Sequence, residues 1–561
     1  MNILGISCFY HDGAACLLKD GIVVAAAEEE RFTRIKHDSS FPINSINYCL
    51  GEGRISIDEI DYIGFYEKPI LKFDRLLSSY LETFPGSFVS FYKSIPSWLT
   101  TKLRIPSIVR KRLKYRGNVL FIEHHLAHAA SSYLVSPFKE AAILTIDGVG
   151  EWTTTAIGFA KDDDITLIKE ICFPHSLGLL YSAVTAHLGF RVNNDEYKVM
   201  GLASYGRPTF YEKFKKLVNL KEDGSYELDM DYFTYQYGLT MIGQKFINEF
   251  GSMRKYGSEI TQRHKDIATS LQKITEEVLF RMLNHLYNMT GLDDLCMAGG
   301  VALNSVANGK ILKNTPFKRI YIQPAASDAG GSVGVAMYIY STIIGNERRY
   351  VMDSAYLGPS FDSEFIKQFL IRNDIDFKEL GEKSLVKKVA SLVYDNDIIG
   401  WFQGRMEFGP RALGNRSILA NPCNPEMKNT LNKKVKHRED FRPFAPVVPL
   451  EDAKDYFEID GESPFMLFVS PVKEEKRELI PSVTHVDGSA RPQTVTRKQN
   501  PKYYDLIKEF EKFSGIPILI NTSFNVRGEP IVCTPKDAYE CFMGTGIDYL
   551  VMGNFIIEKS K

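Results

Sequence analysis

Three histidines lie within five positions of the stretch FIEHHLAHAASSYL, residues 121–134, although the 561-residue chain has only 11 histidines. If this stretch is a helix, His124 and His128 project from one face, whereas His125 points roughly 100° away. Two imidazoles on one helix face can bind a single cation. In the alternative, a packed helix, one histidine lies in the core and the others face solvent.

A carboxylate that could complete such a metal site is Asp328, within RIYIQPAASDAGGSVGVAMYIY. This pattern predicts a strand, a loop that carries Asp328 and a Gly-Gly pair, and then a helix. A carboxylate at the end of that strand lies on the rim where α/β proteins bind ligands, and with two imidazoles it leaves open positions on a metal. The SDAGG pattern equally permits Asp328 to cap the helix, and spacing alone does not distinguish a helix cap from a metal ligand.

Basic residues are concentrated between positions 405 and 442, where nine Lys and Arg face four Asp and Glu. They are Arg405, Arg411, Arg416, Lys428, Lys433, Lys434, Lys436, Arg438 and Arg442. For Lys428, Lys433 and Lys434, on a predicted helix, a solvated basic face is favoured. The arginines of FGPRALGNRS and DFRPFAP instead lie among Gly, Pro and apolar residues, where an unpaired guanidinium is costly to bury. The arginine fork suits phosphate or carboxylate, so an oxyanion pocket is favoured over a nucleic-acid stripe.

Two similar hairpin patterns must position these groups. Residues 2–32, NILGISCFYHDGAACLLKDGIVVAAAEEERF, and residues 141–171 each predict strand, Gly-containing loop, strand, turn and strand. Hairpins with glycine turns are common, so the duplication is the informative feature. Each copy would direct polar groups to a common cleft: Ser7, His11 and Asp12 from the first, and Asp147, Gly148 and Glu151 from the second.

Two further units have the pattern strand, Gly-Gly turn, helix. Residues 262–290 predict an amphipathic helix that leads into DDLCMAGGVALNSVANGKIL, and the Asp328 stretch repeats the pattern. Glycine turns at helix N-termini offer N–H groups to phosphate. Two such units after two hairpins are typical of a duplicated α/β nucleotide-binding fold. We place the domain junction near 345–385 and predict domains at 1–350 and 385–561.

Length and composition set the broad class. A chain of 561 residues needs at least two domains, and a formal charge of -1 gives no global attraction to nucleic acid or membrane. No run of 18 apolar residues occurs, and the start lacks the pattern of a signal peptide, so a cytoplasmic location is expected. The eight cysteines show no CxxC spacing, which excludes a zinc ribbon. We expect most of them to be buried.

Taken together, HDGAA, EEERF, HHLAHAASSY, DGVGEWTTT, EYKVMGLASYG, AGGVALNS, SDAGGSVG, EFGPRALGNRSILA, KHREDFRPFAP and NTSFNVRGEP resemble the O-carbamoyltransferases of the nodulation protein U and tobramycin carbamoyltransferase family. The resemblance runs in order from residue 1 to about 556. It implies an N-terminal domain of the actin-like ATPase superfamily, similar to Kae1, and a C-terminal α/β domain similar to YrdC.

The resemblance also implies a two-step reaction. Carbamoyl phosphate and ATP yield carbamoyl-adenylate in the C-terminal domain, and the N-terminal domain passes the carbamoyl group to a hydroxyl acceptor. His124, His128 and Asp328 would hold a metal, iron or another divalent ion, and Mg²⁺ is a further candidate beside ATP. Gly299, Gly300, Asn304 and Gly330 would line the nucleotide, with Asp147, Gly148 and Lys198 as further candidates. Carbamoyl phosphate and the ATP phosphates would contact Arg411, Arg416, Lys436, Arg438, Arg442, Arg491 and Arg527.

Several roles stay open at this point. His11, steered by Asp12, could be the general base that activates the acceptor hydroxyl, or it could only ligate or orient. Glu196 and Lys198 match a family motif, but the sequence does not show whether they contact ATP, the acceptor or each other. Arg207 is expected to be structural. The aromatic-rich residues 76–98 could form an acceptor wall or simply pack.

Three functions therefore compete. The first is a carbamoyltransferase acting on a small-molecule hydroxyl, with neither nucleic acid nor membrane as a partner; a homodimer, the commonest symmetric assembly, is compatible with it. The second is a tRNA-modifying enzyme of the threonylcarbamoylation type, which would need a basic surface that follows phosphates. The third is a non-catalytic actin-like nucleotide-binding protein, which leaves the C-terminal arginines unexplained.

Overall fold

The computed structural model describes residues 1–559 and divides into two compact units. Unit 1 comprises Met1–Glu29 and Ser39–Met352. Unit 2 comprises Glu30–Asp38 and the chain from Asp353 onward. Residues 353–384, which lie between the two predicted domains, thus belong to unit 2. So does the short segment Glu30–Asp38 from the N-terminal region.

Both predicted hairpins and both predicted strand–turn–helix units are present in unit 1. Its strands, in chain order, are β1 (Asn2–Ser7), β2 (Ala14–Lys19), β3 (Ile22–Glu28), β4 (Tyr62–Phe65), β5 (Asn118–Phe121), β6 (Glu140–Ile146), β7 (Thr153–Lys161), β8 (Asp164–Cys172), β9 (Val218–Leu220), β10 (Tyr226–Leu228), β11 (Asp294–Ala298) and β12 (Arg319–Ile322).

Two five-stranded sheets of unit 1 share one topology. The first has the order β3-β2-β1-β4-β5 and the second the order β8-β7-β6-β11-β12. In each sheet the three hairpin strands are antiparallel and the two following strands are parallel to the first of them. This repeat confirms the duplicated α/β fold expected of the actin-like ATPase superfamily.

Helices connect these strands and flank the sheet of unit 2, and α11 coincides with the predicted amphipathic helix. In chain order they are α1 (Glu30–Thr33), α2 (Ile43–Gly53), α3 (Pro69–Glu82), α4 (Phe88–Thr100), α5 (Ile105–Leu113), α6 (His124–Tyr133), α7 (Leu177–His187), α8 (Glu196–Leu202), α9 (Tyr211–Leu217), α10 (Gln244–Phe250), α11 (Gln262–Thr290), α12 (Ser305–Asn308), α13 (Ile311–Asn314), α14 (Asp328–Tyr338), α15 (Ser363–Arg372), α16 (Glu382–Tyr394), α17 (Met427–Leu431), α18 (Ala453–Tyr456), α19 (Pro501–Ser514) and α20 (Pro535–Met543). Within residues 1–559, no helix is both long enough and apolar enough to cross a bilayer.

Helices α6 and α14 pack against each other between the two sheets of unit 1. Helix α14 lies on β1 and β2 of the first sheet, and α6 lies on β6 and β11 of the second. The contact is close because it is built on small residues: a Cβ on Gly334 would come within 2.0 Å of the carbonyl oxygen of Ala127. Helix α6 begins at His124, just after β5, and α14 begins at Asp328, after β12. The packing therefore brings both helix N-termini to the carboxyl ends of parallel strands.

Unit 2 is an α/β domain, as expected, built on one mixed sheet. Its strands are β13 (Lys378–Glu379), β14 (Ile399–Phe402), β15 (Arg416–Ala420), β16 (Ala445–Pro449), β17 (Ser470–Pro471), β18 (Ser489–Ala490), β19 (Gln493–Val495), β20 (Leu519–Ser523), β21 (Tyr549–Met552) and β22 (Phe555–Glu558). Eight of them form the order β13-β22-β21-β14-β15-β20-β16-β19.

The sheet of unit 2 is covered by apolar residues on both faces. Successive residues of β15 alternate between two separate cores: Ile418 and Ala420 belong to one, and Leu419 to the other. Helices α15, α17 and α20 contribute to the first core, whereas α16 and α19 contribute to the second. Most of the cysteines are buried, as expected; Cys172 is exposed and Cys423 half-buried.

Candidate functional site

Four buried side chains of unit 1 meet where α6, α14 and β6 converge. The Nε2 atoms of His124 and His128 lie 3.1 Å apart. His124 Nε2 is 3.1 Å from Asp147 Oδ2, and both Nε2 atoms are 3.7 Å from Asp328 Oδ1. One ligand atom from each residue lies within 4.8 Å of the other three. His125, as predicted, points elsewhere, and its Nδ1 lies 2.8 Å from Thr145 Oγ1.

The loop after β6 fixes the start of α6. Glu151 accepts the backbone N–H of His124 with both carboxylate oxygens, each at 3.1 Å. Gly150 lies directly against the His124 ring, since a Cβ there would come within 3.0 Å of it. The DGVGE turn of the second hairpin thus holds the first histidine in place. The sequence placed Glu151 in the cleft but did not predict its hydrogen bonds to the backbone of His124.

The carboxylates control the charge of the cluster. Burial alone lowers the pKa of His124, but the hydrogen bond with Asp147 and the charge of Asp328 outweigh it and raise that pKa to about 9. Burial alone would raise the pKa of Asp147, yet His124 and His128 hold it well below the usual range. Two imidazoles between two carboxylates form a site that a proton or a metal cation can occupy.

The donor set fits a divalent transition metal. Two imidazole nitrogens and two carboxylate oxygens suit iron or zinc, whereas an all-oxygen set would suit Mg²⁺ or Ca²⁺. The Nδ1 atoms of His124 and His128 are buried and have no hydrogen-bond partner within the described chain. The Nε2 atoms are the ones that face the carboxylates, and a cation bound there would replace the proton that His124 shares with Asp147. Sequence patterns had placed Asp147 with the nucleotide; its carboxylate joins this cluster.

His11 and Asp12 lie in the first hairpin loop of the same unit. His11 Nδ1 is 2.9 Å from Asp12 Oδ2, and Nε2 is 2.7 Å from the carbonyl oxygen of Asn193. Burial lowers the pKa of His11, but Asp12 and then Asp328 more than compensate and raise it to about 10. Both ring nitrogens therefore donate, so His11 must lose a proton and open one hydrogen bond before it can act as a base.

The glycine turns surround Asp147. The N–H of Gly300 donates to Asp147 Oδ1 at 2.9 Å. Gly299 has φ +96° and lies directly over the backbone of Ile146, so only glycine fits this turn. Gly148 is half-buried in the loop after β6, and Gly330 packs against Gln323 in the first turn of α14.

Two other residues predicted to bind nucleotide are engaged within the protein. Asn304 exchanges hydrogen bonds with Gln272 of α11 at 3.0 and 3.1 Å and caps α12. Lys198 is buried and pairs with Asp195 at 2.8 Å. The neighbouring Glu196 accepts from Ser182 at 2.9 Å. Glu196 and Lys198 thus lie in the first turn of α8, directly after the loop whose Asn193 carbonyl contacts His11.

The basic residues of unit 2 meet at one edge of its sheet. Strand β20 is antiparallel to β15 and β16, and β16 is parallel to β19. The starts of β15, β16 and β19 and the end of β20 therefore share an edge. The loops at this edge carry Arg411 before β15, Arg438 and Arg442 before β16, Arg491 before β19, and Arg527 after β20.

Arg491 is the clearest anion-binding candidate in this group. Its Nε atom is buried and has no hydrogen-bond partner among the described residues. Burial first, and then the charges of Arg411, Arg438 and Arg442, hold the pKa of Arg491 well below its usual range. The charges of three guanidinium groups thus act on a fourth, an arrangement that suits a multiply charged anion.

The other predicted basic ligands differ in their surroundings. Arg416 is fully buried, stacks on Phe402 and donates to the carbonyl oxygens of Gln403 and Pro359 among others, so the structure does not bring it into the arginine group. Lys436 donates to Ser523 and Asn525 at the end of β20. Burial and then Arg438 lower its pKa well below the usual value. Arg527 is exposed and pairs with Glu439 at 3.1 Å.

One functional candidate escaped the sequence patterns. Glu407 is 2% exposed, and its Oε1 accepts the N–H groups of Leu413 and Asn415 at 2.7 and 2.8 Å. It thereby fixes the loop that presents Arg411. The only signal in the sequence was a lone acidic residue in EFGPRALGNRS, a motif otherwise free of acids.

Comparisons with known proteins agree with this two-unit layout. Residues 2–337 match the family model "Carbamoyltransferase N-terminus", and residues 390–559 match "Carbamoyltransferase C-terminus". The chain is 49% identical to the uncharacterized protein sll1178 of Synechocystis, over 100% of this chain and 97% of that protein. It is 39% identical to nodulation protein NolNO of Sinorhizobium fredii, over 98% and 79%, and 34% identical to nodulation protein U of the same species, over 97% of each chain. The chain therefore belongs to the carbamoyltransferase family, as its motifs predicted, and is a carbamoyl-transferring enzyme.

Proposed function

We propose that this carbamoyltransferase is ATP-dependent and passes a carbamoyl group from carbamoyl phosphate, through carbamoyl-adenylate, to a hydroxyl of a small molecule. The observation that carries the proposal is the convergence of the charges of Arg411, Arg438 and Arg442 on Arg491, whose buried Nε has no hydrogen-bond partner among the described residues. Positive charge concentrated among half-buried side chains is costly unless an anion binds there. Carbamoyl phosphate and ATP are such anions.

The first step would take place in unit 2. Water hydrolyses carbamoyl phosphate to carbamate and phosphate, and a carbamate oxygen then attacks the α-phosphorus of ATP and displaces pyrophosphate. Negative charge develops on both departing groups. Guanidinium groups held in place before the reaction would stabilise that charge without reorganising. Arg411, Arg438, Arg442 and Arg491 are the residues we assign to this role, with Lys436 holding the adjoining loop.

The second step would take place in unit 1. The acceptor oxygen attacks the carbamoyl carbon, AMP departs, and the hydroxyl proton passes to a base. We assign that base to His11 in its neutral form, oriented by Asp12, once it has lost its Nε2 proton and the hydrogen bond to Asn193 has opened. The loops with Gly148, Gly299, Gly300 and Gly330 would receive the adenylate, since they adjoin Asp147 and Asp328 of the histidine cluster.

A metal would be held by His124, His128, Asp328 and Asp147. When bound, it supplies positive charge that helps to retain the anionic adenylate. The chain's own contribution is the rigid placement of the four donors by α6, α14 and β6. Metal binding must displace the proton shared within the cluster, so affinity falls in acid.

The test is pyrophosphate release from ATP in the presence of carbamoyl phosphate and without acceptor. Wild type should release pyrophosphate only when carbamoyl phosphate is present, and Arg442→Ala should lose this activity. The matched control is Arg497→Ala, because Arg497 is a surface arginine, 70% exposed, paired with Asp505. Absence of carbamoyl-phosphate-dependent pyrophosphate release in wild type would refute the adenylation step and favour a nucleotide-binding protein.

A further inference from the structure

Residues 83–122 have an unusual charge pattern. They contain eight Lys and Arg and no Asp or Glu, in a chain with a formal charge of -1. The basic residues are Lys93, Lys102, Arg104, Arg110, Lys111, Arg112, Lys114 and Arg116. The stretch forms the turn before α4, then α4 and α5. We call residues 83–116 the basic-apolar segment.

The outer face of α4 is apolar. Phe88, Tyr92 and Leu99 lie at positions i, i+4 and i+11 of this helix, which places them on one face. Their exposed fractions are 59%, 74% and 51%, and Phe84 in the preceding turn is 68% exposed. Trp98, on the other face of the helix, is only 5% exposed. Burial inside unit 1 therefore does not explain the outer aromatic residues.

The outer face of α5 is basic. Ile105, Val109 and Leu113 are buried at four-residue spacing and anchor this helix. Arg110 and Lys111 between them are exposed, and neither forms an ion pair within the part of the chain that the structure describes. The same holds for Lys93, Arg104, Lys114 and Arg116. Unneutralised cations beside exposed aromatic side chains characterise helices that lie in a membrane interface.

We propose that the basic-apolar segment docks on an anionic lipid bilayer, with the aromatic face of α4 at the acyl boundary and the cations of α5 on lipid phosphates. This proposal departs from the expectation that the protein has no membrane partner. It concerns helices that lie on the bilayer surface and not a helix that crosses the bilayer. The exposed Phe84, Phe88 and Leu99 favour lipid over nucleic acid, which would use the cations alone. A second copy fits poorly, because a twofold interface would place these cations against each other.

The experiment is sedimentation of the full-length protein with vesicles of phosphatidylcholine, with or without phosphatidylglycerol. The protein should sediment with the anionic vesicles only, and salt should release it. Arg110→Glu with Lys111→Glu should weaken binding roughly tenfold or more, because each cation near the bilayer contributes several-fold. Phe88→Ser with Tyr92→Ser should weaken it at any salt concentration.

The control is Lys383→Glu with Lys387→Glu, which reverses the same charge on exposed positions of α16. It should bind vesicles like wild type, and thermal unfolding should show that all variants are folded. Equal sedimentation with both vesicle types, or unchanged binding by both segment variants, would overturn the proposal. So would binding to duplex RNA without vesicle binding, or a dimer that the Phe88 and Tyr92 substitutions dissociate.

Discussion

Gly334 of α14 lies so close to Ala127 of α6 that a Cβ on the glycine would come within 2.0 Å of the alanine carbonyl oxygen. Ala127 directly precedes His128, and Gly334 lies within the helix that begins at Asp328. The backbone contact therefore sets the distance between two proposed metal ligands on different helices. A side chain of any size at position 334 must separate them.

Gly334→Ala should destabilise the protein by about 1–3 kcal/mol, because overpacking forces backbone to shift. It should also lower the metal content. Urea unfolding and elemental analysis measure the two effects. Gly51→Ala is the control: Gly51 lies in α2 with no atom within 4 Å of a new Cβ, so it should be neutral or gain up to about 1 kcal/mol. Wild-type metal content in Gly334→Ala would show that the helix spacing does not govern the site.

The metal assignment predicts a difference between neighbouring histidines. His124→Ala should lose the metal, since its Nε2 atom belongs to the cluster. His125→Ala should keep it, because His125 faces Thr145. Elemental analysis of the purified proteins checks both. Equal metal content in wild type and His124→Ala would remove His124 as a ligand.

Local sequence patterns predicted the elements and much of the site. Apolar strand patterns and glycine turns identified both hairpins, and the 3–4 spacing of apolar residues identified α11. The HxxxH spacing and Asp328 were also found, since each depends on one helix or one strand end. Asp147 was assigned to the nucleotide, because its approach to His124 depends on how β6 meets α6, 23 residues away.

Tertiary contacts account for what the patterns missed. Arg411 and Arg416 share one motif, yet Arg416 turns inward to backbone carbonyls that only the folded loop brings together. No spacing rule distinguishes the two guanidinium groups. The segment Glu30–Asp38 likewise belongs to unit 2 through contacts such as Arg34 with the carbonyl oxygen of Ile531.

The His11–Asp12 pair predicts a pH-dependent stability. The folded-state pKa of His11, about 10, lies above its unfolded value of roughly 6.5. The pair therefore stabilises the fold fully below pH ~6.5, and this contribution is lost as pH rises through about 10. Asp12→Asn should be less stable than wild type at pH 7, with a difference that shrinks toward pH 10. Urea unfolding across this range tests it; a constant difference would contradict the pairing.

The pKa of His11 also predicts how the rate of carbamoyl transfer depends on pH. If His11 is the base, only its neutral form accepts the acceptor proton, so transfer from preformed carbamoyl-adenylate should rise with pH toward about 10. His11→Ala should slow this half-reaction and remove the pH dependence. Unchanged transfer in His11→Ala would leave His11 with an orienting role.

The arginine group predicts that substitution of Arg491 raises the stability of the protein and abolishes its activity. Arg491 has no anionic partner within the described residues, and three other arginines repel it. Arg491→Met keeps most of the volume and removes a strained charge, so it should raise the free energy of unfolding by about 1 kcal/mol. The same change should abolish carbamoyl-phosphate-dependent pyrophosphate release. Arg497→Met, which only breaks an exposed ion pair, should leave both nearly unchanged. A binding site can keep charges that destabilise the free protein because its ligand neutralises them. If Arg491→Met were instead less stable than wild type, Arg491 would contribute to folding stability and not only to anion binding.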